Sequence, residues 1–441
     1  MNKPLRISLK IFAALILLLL LVGISLPFII DPNDYKGEII TRVKQETGRE
    51  LAIPGDISLS VFPWLGVQLG EVSFGNAPGF GEQPMARINA VDVRVKLMPL
   101  FKKEVQIAHV TLDGLSLDLQ RNARGVSNWD DLTRKEKPAK PKPETKEPPP
   151  RGAALAALAV DGLSLLNSRL EWTDTQAKQH FTLSDMELSL GAVAFDQGFP
   201  LKASLKFSSD QPRANGSLAL ATDITVADTL QQVSFKNLKL ETQLNPAPPA
   251  KPLPPVTVQL ASLALDLGKE TLHGKQLQVT AYNLKLQGDV SAQKILSVPS
   301  YQGQLQVLPF SLRELMKQLE IAPPATADAQ VLQHVELMSQ FAGTTKQLKL
   351  DKFHMKLDDS TLTGNVVLPK LGKPAAQYTL AIDNIDADRY LPPPSDEKAA
   401  KAKPAPSGSG AAAATTQLPL ELLRSLELNG RLKIDQFKIS N

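Results

Sequence analysis

Side chains that could carry out chemistry are few and scattered in this sequence of 441 residues. The chain has no cysteine, which excludes disulfides, thiolate nucleophiles and cysteine-ligated metals. Its histidines form neither a His-x-x-His pair nor a His-Glu-x-x-His helix, so a zinc site is unsupported. The five histidines are His109, His180, His273, His334 and His354.

Two pairs of adjacent acids remain as candidates for acid–base catalysis. Asp130 and Asp131 occur in NWDDL, where aspartate suits a turn or the start of a helix, and Asp358 and Asp359 lie in a predicted hairpin turn. Carboxylates need a cleft that shifts their pKa values before they can act as acid and base. The sequence also lacks a nucleophile elbow, a P-loop and a dinucleotide-binding fingerprint. We therefore predict that the protein is not an enzyme and binds no cofactor and no metal.

The charge balance argues against a nucleic-acid partner. The chain has 49 Lys and Arg against 45 Asp and Glu, a formal net charge of +4. Lys3, Arg6 and Lys10 precede the first acid, so the rest of the chain is close to neutral. Neutralising phosphates would require a basic face.

The N-terminus predicts a membrane anchor. Residues 11–30 (IFAALILLLLLVGISLPFII) carry no charge and, as a helix, span about 30 Å, the thickness of a hydrocarbon core. Basic residues precede this segment and Asp31 and Asp34 follow it, so the positive-inside rule leaves residues 1–10 in the cytoplasm. We predict a single-pass protein whose bulk lies across the membrane from the cytoplasm, which in a Gram-negative cell is the periplasm. The alternative is a cleaved signal peptide, but SLPFIIDPNDY lacks a small-residue cleavage site.

Alternation of apolar and polar residues dominates the chain beyond a short amphipathic helix that follows the anchor. Strands with one apolar and one polar face are typical of antiparallel sheet. The fold class predicted is mainly β: an N-terminal transmembrane helix, then an extended, twisted, groove-like antiparallel sheet with a few short amphipathic helices. We expect the clearest alternating positions to line a groove or a core; they are Val91, Val93, Val95, Leu115, Leu117 and Leu119.

A short pattern recurs along the chain and suggests that one long sheet grows by repetition. Each copy is interpreted as a strand, a turn and a second strand. The alternative is that all antiparallel strands resemble one another at this level. The pattern TLDGLSLDLQ at 111–120 returns as AVDGLSLLNS at 159–168 and, more loosely, at 233–244, 279–290, 348–366 and 432–441.

Proline-rich stretches divide the predicted sheet into segments. Apolar stripes predict helices at 311–320 and 328–341. The pattern stops in the middle of a hairpin, so we expect a truncated product; the alternative is a sheet that continues in another chain. The predicted segments are a β module at 31–133, a Pro/Lys-rich linker at 134–152, β repeats at 153–245, a Pro-rich linker at 246–255, β repeats at 256–391, a flexible loop at 392–416, and a helix with the start of a further hairpin at 417–441.

The stretch SVFPWLG is apolar yet interrupted by residues that break helices. Pro63 and Gly66 predict the bend of a hairpin, and Phe62 and Trp64 supply bulk beside it. We expect Phe62 and Trp64, together with Phe80, to close the membrane-proximal end of the sheet. The alternative is a hairpin corner that only packs.

The predicted helices are too few and too short to cover the aliphatic face of such a sheet. An exposed apolar patch beyond a few hundred Å² is an interaction site or a liability. A strongly twisted sheet can curl into a trough for acyl chains, with about 0.8 kcal/mol available per buried methylene. The alternative is a β-sandwich with a dry core.

Several stretches closely resemble the AsmA family of bacterial envelope proteins. They are DPNDYKGEI after the anchor, TGRELAIPGDISLSVFPWLGVQLGEVSFGNAPGFGEQPMA at 47–86, LMPLFKKEVQIAHVTLDGLSLDLQRNARGVSNWDDL at 97–132 and DADRYLPP at 386–393. The resemblance implies an inner-membrane protein with one transmembrane helix and a large periplasmic β domain linked to outer-membrane biogenesis. The family is also similar to bridge-like lipid-transfer proteins, whose repeated β units form a hydrophobic groove for phospholipids. Family members are usually longer than this chain and end in a further β region.

Two functional hypotheses follow. In the first, the protein binds or transports phospholipid along an apolar β groove and supports outer-membrane biogenesis, with phospholipids and the inner membrane as its partners. In the second, it is a non-catalytic scaffold that contacts outer-membrane protein (porin) precursors or their assembly machinery through exposed strand edges.

Overall fold

The structure, a computed structural model, describes residues 31–60, 64–100, 106–133, 161–246, 252–372, 375–393 and 427–440. The chain divides into two units, Met1–Pro255 and Val256–Asn441, hereafter the N-terminal unit and the C-terminal unit. Strands make up most of both units, and the described helices are few and mostly short. The prediction of a mainly β protein with few helices is therefore confirmed.

The N-terminal unit begins with a helix directly after the predicted anchor. Asp31 accepts a hydrogen bond from the backbone N–H of Asn33 at 2.9 Å and starts a 3-10 turn, Pro32–Tyr35. Gly48 ends the helix that follows, in a left-handed conformation (φ 71°) that glycine adopts without strain. The described helices of this unit are α1 at Lys36–Thr47, α2 at Leu97–Leu100 and α3 at Asp130–Thr133.

The strands of the N-terminal unit are short near its start and long towards its end. They are β1 Leu51–Ala52, β2 Ile57–Ser60, β3 Leu65–Leu69, β4 Val72–Phe74, β5 Ala86–Ile88, β6 Ala90–Val95, β7 Ile107–Asp113, β8 Ser116–Arg121, β9 Leu163–Asp174, β10 Gln179–Leu190, β11 Gly198–Asp210, β12 Arg213–Val226 and β13 Gln232–Pro246.

Strand β9 joins two ladders of short strands. Its first half pairs in parallel with β7, which ends the antiparallel ladder β2–β3–β6–β7. Its second half pairs in parallel with β8, which ends the antiparallel ladder β1–β4–β5–β8. Strands β10 to β13 continue from β9 as an antiparallel meander.

The outer edge of β2 is occupied at its first residue by a side chain. The backbone N–H of Ile57 donates to Oδ1 of Asn33 at 2.9 Å, and Nδ2 of Asn33 donates to the carbonyl of Ile57 at 3.1 Å. The amide of Asn33 therefore takes the place that a neighbouring strand would have at this residue.

The C-terminal unit is a meander of similar strands. Strands β14 to β21 each pair antiparallel with the next, and β22 pairs in parallel with β21. Its elements are β14 Val256–Asp266, β15 Thr271–Ala281, β16 Leu284–Gln293, β17 Ser300–Phe310, α4 Leu312–Gln318, β18 Val335–Thr344, β19 Leu348–Leu357, β20 Ser360–Leu368, β21 Ala375–Asp386, a 3-10 turn at Ala387–Arg389 and β22 Glu427–Lys438.

The helix predicted at 311–320 is confirmed, and the one predicted at 328–341 is wrong. Helix α4 begins after Ser311, whose hydroxyl accepts a hydrogen bond from the N–H of Glu314 at 3.1 Å. Residues 335–344 instead form β18, which pairs with β17 and β19. The sequence VLQHVELMSQF satisfies both a helical stripe and, from its second valine, an alternating pattern. Pairing on both sides decides in favour of the strand, since tertiary contacts override weak local preferences.

The recurring copies are all interpreted from the sequence as strand, turn and strand, and this interpretation is wrong for some of them. The copy at 279–290 does contain a hairpin turn, between β15 and β16. In the copy at 233–244, however, β13 runs through without a turn, and the register with β12 shifts near Asn237, which has a φ of 53°. Lys352 of β19, in the copy at 348–366, likewise has a positive φ beside a register shift. The recurring polar residue marks a β-bulge at these places.

Each bulge changes which residues of a strand point to the apolar side. In β13, Phe235 opposes Ile224 of β12, whereas Leu240 opposes Leu220. The two residues of β12 lie four apart and so share a face, which means that an odd position and an even position of β13 share a face as well. The extra residue of the bulge accounts for this switch.

None of the helices within the described residues is long and apolar enough to cross a membrane. The predicted cytoplasmic stub at 1–10, the predicted anchor at 11–30 and the predicted linker at 134–152 all lie outside those residues. The same holds for most of the predicted loop at 392–416 and for the helix predicted at the start of 417–441.

Candidate functional site

An unbroken row of apolar residues crosses the N-terminal unit. Directly opposed residues on paired strands point to the same side of a sheet, so the register of each ladder identifies the side chains that share a face. At about 4.8 Å per strand, a row across nine strands is about 38 Å long. Following the register from β2 to β13 gives Ile57, Leu69, Val91, Leu112, Leu165, Leu188, Ala203, Leu220 and Leu240.

A second row on the same face starts from the other ladder. The two rows share a face because Ala203 and Phe207 are both odd positions of β11, and the register of β11 with β12 is regular throughout. From β1 to β13 the second row contains Leu51, Phe74, Ala86, Leu117, Leu170, Leu183, Phe207, Gly216 and Leu244.

The residues predicted from alternation lie on this face or directly beside it. Leu117 and Leu119 oppose Leu170 and Trp172 of β9. Leu115 lies just before β8, and its carbonyl accepts a hydrogen bond from a backbone N–H of β9 at 2.7 Å. Val91, Val93 and Val95 of β6 oppose Leu69, Val67 and Leu65 on β3, and Leu112, Val110 and Ile107 on β7.

Within the described residues, no second layer covers this face. Only Ile57 of the first row is buried, at 6% exposure, and the other eight residues are half-buried. A β-sandwich with a dry core is therefore the wrong alternative for the described part of the chain. Its buried apolar side chains are Ile53, Ile57, Ala77, Met85, Ala108, Phe199 and Val331.

The C-terminal unit has a matching row that sequence reasoning did not identify. It crosses nine strands, and its members are half-buried except for the exposed Ile434 on β22. The alternation on each strand is visible in the sequence. The bulges shift that alternation by one residue, so the sequence alone does not show which residues of neighbouring strands share a face. From β14 to β22 the row contains Val258, Val279, Leu286, Val307, Leu337, Met355, Leu362, Ile382 and Ile434.

Aromatic rings lie against glycines on the apolar face of the C-terminal unit. Phe341 of β18 opposes Gly303 of β17, and Tyr301 of β17 opposes Gly343 of β18. A Cβ atom at Gly303 would lie 2.8 Å from the Phe341 ring, and one at Gly343 would lie 2.8 Å from the Tyr301 hydroxyl. The glycines therefore leave the space that the two rings occupy, with ring centroids 6.2 Å apart.

The opposite face of the same strands is polar. Lys206 of β11 pairs with Asp185 of β10 at 2.8 Å, and both side chains are exposed. In the C-terminal unit, the amide of Gln287 donates to the amide oxygen of Gln306 at 2.9 Å across β16 and β17. Each unit thus presents one aliphatic face and one hydrated face.

A buried polar cluster around Arg49 was not predicted. Arg49 is 2% exposed, its Nε donates to Oδ2 of Asp131 at 3.0 Å, and a second nitrogen donates to Oδ1. The guanidinium also donates to the carbonyl of Asn128 at 2.6 Å and lies 5.4 Å from the ring centroid of Phe74. Arg49 and Asp131 are 82 residues apart, and no spacing in the sequence indicates that they meet.

Asn128 connects this cluster to the neighbouring strand and loop. It is fully buried, its Oδ1 accepts from the N–H of Gln120 at 2.9 Å, and its Nδ2 donates to the carbonyl of Asp118 at 2.8 Å. Nδ2 also lies 2.9 Å from Oδ1 of Asn76, as a second donor contact. Three segments from two of the stretches that carry the family resemblance therefore meet in one structural cluster: TGRE and GNAPGF from 47–86, and SNWDDL from 97–132. Hereafter "the Arg49 cluster" means Arg49, Phe74, Asn76, Asn128 and Asp131.

The paired acids hold the backbone in place. The hydrogen bond from Arg49 holds the pKa of the Asp131 carboxyl below its usual value. Burial raises the pKa of the Asp358 carboxyl, but donated hydrogen bonds outweigh it and the net pKa is lowered. The donors to Asp358 are the N–H groups of Leu332 at 2.7 Å, Gln333 at 3.0 Å and His334 at 3.1 Å, and the hydroxyl of Tyr390 at 2.9 Å.

Over the part of the chain that the structure describes, no three His, Asp or Glu residues are grouped to hold a metal ion.

Two of the four residues of the predicted signature hairpin are described. Gly66 lies within β3, where it opposes Ser60 of β2, so it is part of a strand of this hairpin and not its bend. Trp64 precedes β3 and is 44% exposed. Phe62 and Pro63 lie outside the described residues, and a role at the membrane-proximal end of the sheet stays a prediction.

Comparison with known proteins gives one match over the whole chain and one over a part of it. Protein AsmA of Escherichia coli (strain K12) is 27% identical over 117 residues, which is 26% of this chain and 19% of that protein. The aligned part thus spans about a fifth of the relative's length. No solved structure shows a significant match. A model described as the AsmA family matches residues 1–441, and the chain therefore belongs to the AsmA family.

Proposed function

We propose that this protein binds phospholipid by its acyl chains along the apolar faces of its two units, and transports it in support of outer-membrane biogenesis. The observation that carries the proposal is the set of three apolar rows, two in the N-terminal unit and one in the C-terminal unit, most of whose side chains are half-exposed. Membership of the AsmA family supports a role in the bacterial envelope, and the predicted anchor at 11–30 would hold the protein at the inner membrane.

The free energy for such binding comes from removing aliphatic surface from water. Each buried methylene is worth about 0.8 kcal/mol, so an acyl chain gains several kcal/mol from covering part of a row. The apolar faces also need a cover, since soluble proteins rarely leave patches of this size exposed to water. A bound acyl chain supplies that cover without adding protein.

The composition of the rows bears on lipid selectivity. The two rows of the N-terminal unit consist of aliphatic and aromatic residues together with one glycine. Charged side chains project from the opposite face. Nothing within the rows offers a partner for a headgroup. We therefore expect binding to depend on the acyl chains and to differ little between phosphatidylethanolamine and phosphatidylglycerol.

Adjacent residues on opposite faces of one strand provide matched variants. In the N-terminal unit, Leu220→Glu places a charge on the apolar face and Ala221→Glu places the same charge on the polar face, between Lys202 and Lys239. In the C-terminal unit, Leu286→Glu and Gln287→Glu form the equivalent pair on β16.

The experiment purifies the full chain in a mild detergent and quantifies co-purifying phospholipid by mass spectrometry. We expect Leu220→Glu and Leu286→Glu to lose most of the bound lipid and the two control variants to retain it. Circular dichroism spectra must match the parent's before a loss is counted. Equal retention in all four variants would overturn the proposal.

A crosslinking experiment avoids any effect of the charge on folding. Benzoylphenylalanine replaces Leu286 or Gln287 in cells, and the adducts are analysed for lipid after irradiation. Lipid adducts at Leu286 and none at Gln287 are expected. Their absence from Leu286 would contradict acyl-chain binding.

A second candidate function rests on the edge strand β22. This strand is exposed along its length and pairs with β21 on one side, while no described strand pairs with its other edge. A scaffold that binds outer-membrane protein precursors could add their strands at this edge. Two results together would favour this second function: crosslinks from β22 to outer-membrane protein precursors, and normal assembly of outer-membrane proteins in cells that carry Leu220→Glu or Leu286→Glu.

A further inference from the structure

One end of the C-terminal unit combines exposed apolar side chains with lysines. Because the strands of the meander alternate in direction, every second turn lies at the same end of the sheet. These turns, hereafter the lysine rim, are residues 267–270, 294–299, 345–347 and 369–372.

The turns of the lysine rim expose large apolar side chains at their tips. Leu267 is 37% exposed, Leu296 66%, Val298 67% and Leu371 41%. Turns are ordinarily polar, since they face water and have no apolar partner. In the long-strand part of the N-terminal unit, the turns at 175–178, 191–197, 211–212 and 227–231 contain no exposed large apolar residue.

The charge of the lysine rim is positive. Its four turns contain Lys269, Lys294, Lys346 and Lys370 and a single acid, Glu270. Lys269 lies 3.7 Å from Asp266 at the end of β14, and its side chain remains 76% exposed. The opposite end of the unit is acidic: its turns at 282–283, 311–334, 358–359 and 387–393 contain six acids and three bases. That end also exposes Leu319, Ile321 and Leu391, so charge is what distinguishes the two ends.

Hydrogen bonds between neighbouring turns hold the tips of the rim in place. The N–H of Ile295 donates to the carbonyl of Glu270 at 3.3 Å, and the hydroxyl of Ser297 donates to the Glu270 carboxylate at 3.1 Å. On the other side, the N–H of Leu371 donates to the carbonyl of Lys346 at 2.8 Å. The first and last turns are about 29 Å apart, from six strand spacings of about 4.8 Å.

Apolar tips beside lysines match the surface of an anionic bilayer. The tips reach into the interface between headgroups and acyl chains, and the lysines bind lipid phosphates. We propose that the lysine rim docks on an anionic phospholipid bilayer, with Leu296 and Val298 inserted at its interface. This inference does not depend on acyl-chain binding along the apolar rows, since none of the rim residues belongs to a row.

The absence of native cysteine allows the rim to be probed in the full chain. Leu296→Cys is labelled with an environment-sensitive fluorophore, and Thr229→Cys in the N-terminal unit serves as the control position. Both proteins are reconstituted into vesicles of phosphatidylcholine alone or of phosphatidylcholine and phosphatidylglycerol at 3:1. We expect a blue shift and quenching by lipids with spin-labelled acyl chains at position 296 in the anionic vesicles, a weaker signal in neutral vesicles, and none at position 229.

Charge reversal tests the electrostatic part of the proposal. With Lys294→Glu, Lys346→Glu and Lys370→Glu combined, we expect the inserted fraction at position 296 in anionic vesicles to fall by about tenfold or more. An unchanged signal in the triple variant, or equal signals at positions 296 and 229, would overturn the proposal. So would benzoylphenylalanine adducts at position 296 in cells that contain protein and no lipid, because they would make the rim a protein interface.

These outcomes are separable from those that test the proposed function. Loss of insertion at position 296 leaves the lipid bound by the apolar rows unaffected, and loss of co-purified lipid in Leu220→Glu leaves the rim intact.

Discussion

The Arg49 cluster and the first apolar row of the N-terminal unit reverse the usual distribution of residues in a folded protein. The cluster buries a guanidinium and an asparagine side chain completely, whereas eight of the nine aliphatic residues in the row remain half-exposed. Proteins ordinarily bury their aliphatic side chains and leave arginine in water. The N-terminal unit thus places its most buried contacts among polar groups and leaves its apolar surface open.

The difference separates two tasks within one sheet. Removing a buried hydrogen-bonding group leaves its buried partners unsatisfied, so the cluster should control the stability of the unit. An aliphatic side chain that is already half-exposed has less to lose when it is shortened, so the row should control ligand binding more than stability.

The largest effect is expected from breaking the cluster. Arg49→Met should lower the free energy of unfolding by about 3–5 kcal/mol, because it removes the charged donor of the hydrogen bonds to Asp131 and leaves the carbonyl of the buried Asn128 without a donor. Urea unfolding measured by tryptophan fluorescence would show it, since Trp129 lies next to Asn128. Arg42→Met is the control, since Arg42 pairs with Glu46 on the exposed surface of α1 and should matter little. Similar losses in both variants would show that burial is not the cause.

A smaller effect is expected from Asp131→Asn, and it should depend on pH. The pKa of Asp131 is lowered in the folded state, so its charge stabilises the fold above the unfolded value of about 3.9, and that contribution is lost as pH falls through the folded pKa. The difference in unfolding free energy between the parent and Asp131→Asn should therefore be largest at pH 7 and shrink as pH falls through the folded pKa. A difference that persists or grows at low pH would contradict the assignment.

Shortening an aliphatic residue on the open face should cost less than breaking the cluster. For Leu220→Ala we expect a loss of about 1 kcal/mol, because the side chain is only half-buried. Ile57→Ala removes the one buried member of the same row and should cost about 2–4 kcal/mol. Urea unfolding of both variants tests whether the loss in unfolding free energy is smaller for the more exposed residue of the row. Equal losses would mean that Leu220 is covered in solution.

The smallest effect is expected on the polar face. Lys206→Met breaks an exposed ion pair with Asp185, and stability should hardly change, because both side chains are hydrated and screened. Urea unfolding is the measurement here as well. Lys206→Met and Arg49→Met thus compare the loss of an exposed basic group directly with the loss of a buried one. A loss as large as that of Arg49→Met would place this ion pair among the structural determinants of the sheet.

Much of the fold could be predicted because alternation is a local property of the sequence. Val91, Val93 and Val95 were expected on one face of a strand, and the register of β3, β6 and β7 places them there. The helix at Leu312–Gln318 was also predictable, from its apolar stripe and the serine before it. Both patterns involve residues within one turn or one strand.

The remaining features depend on contacts between distant residues. The segment from Val335 to Thr344 satisfies a helical stripe as well as a strand, and only its pairing with β17 and β19 decides between them. The Arg49 cluster joins residues 79 and 82 positions apart, which no local pattern indicates. The bulge at Asn237 resembles a turn in sequence, because the same residue types favour positive φ in both.

The bulges also constrain how such a chain can change over evolutionary time. Deleting one residue between Asn237 and Leu240 would invert every side chain from there to the end of β13 and turn Leu240 towards water. The strand segments on either side of a bulge therefore tolerate no insertion or deletion of a single residue. Hairpin turns carry no such constraint, so insertions and deletions in related chains should accumulate there and avoid the strands.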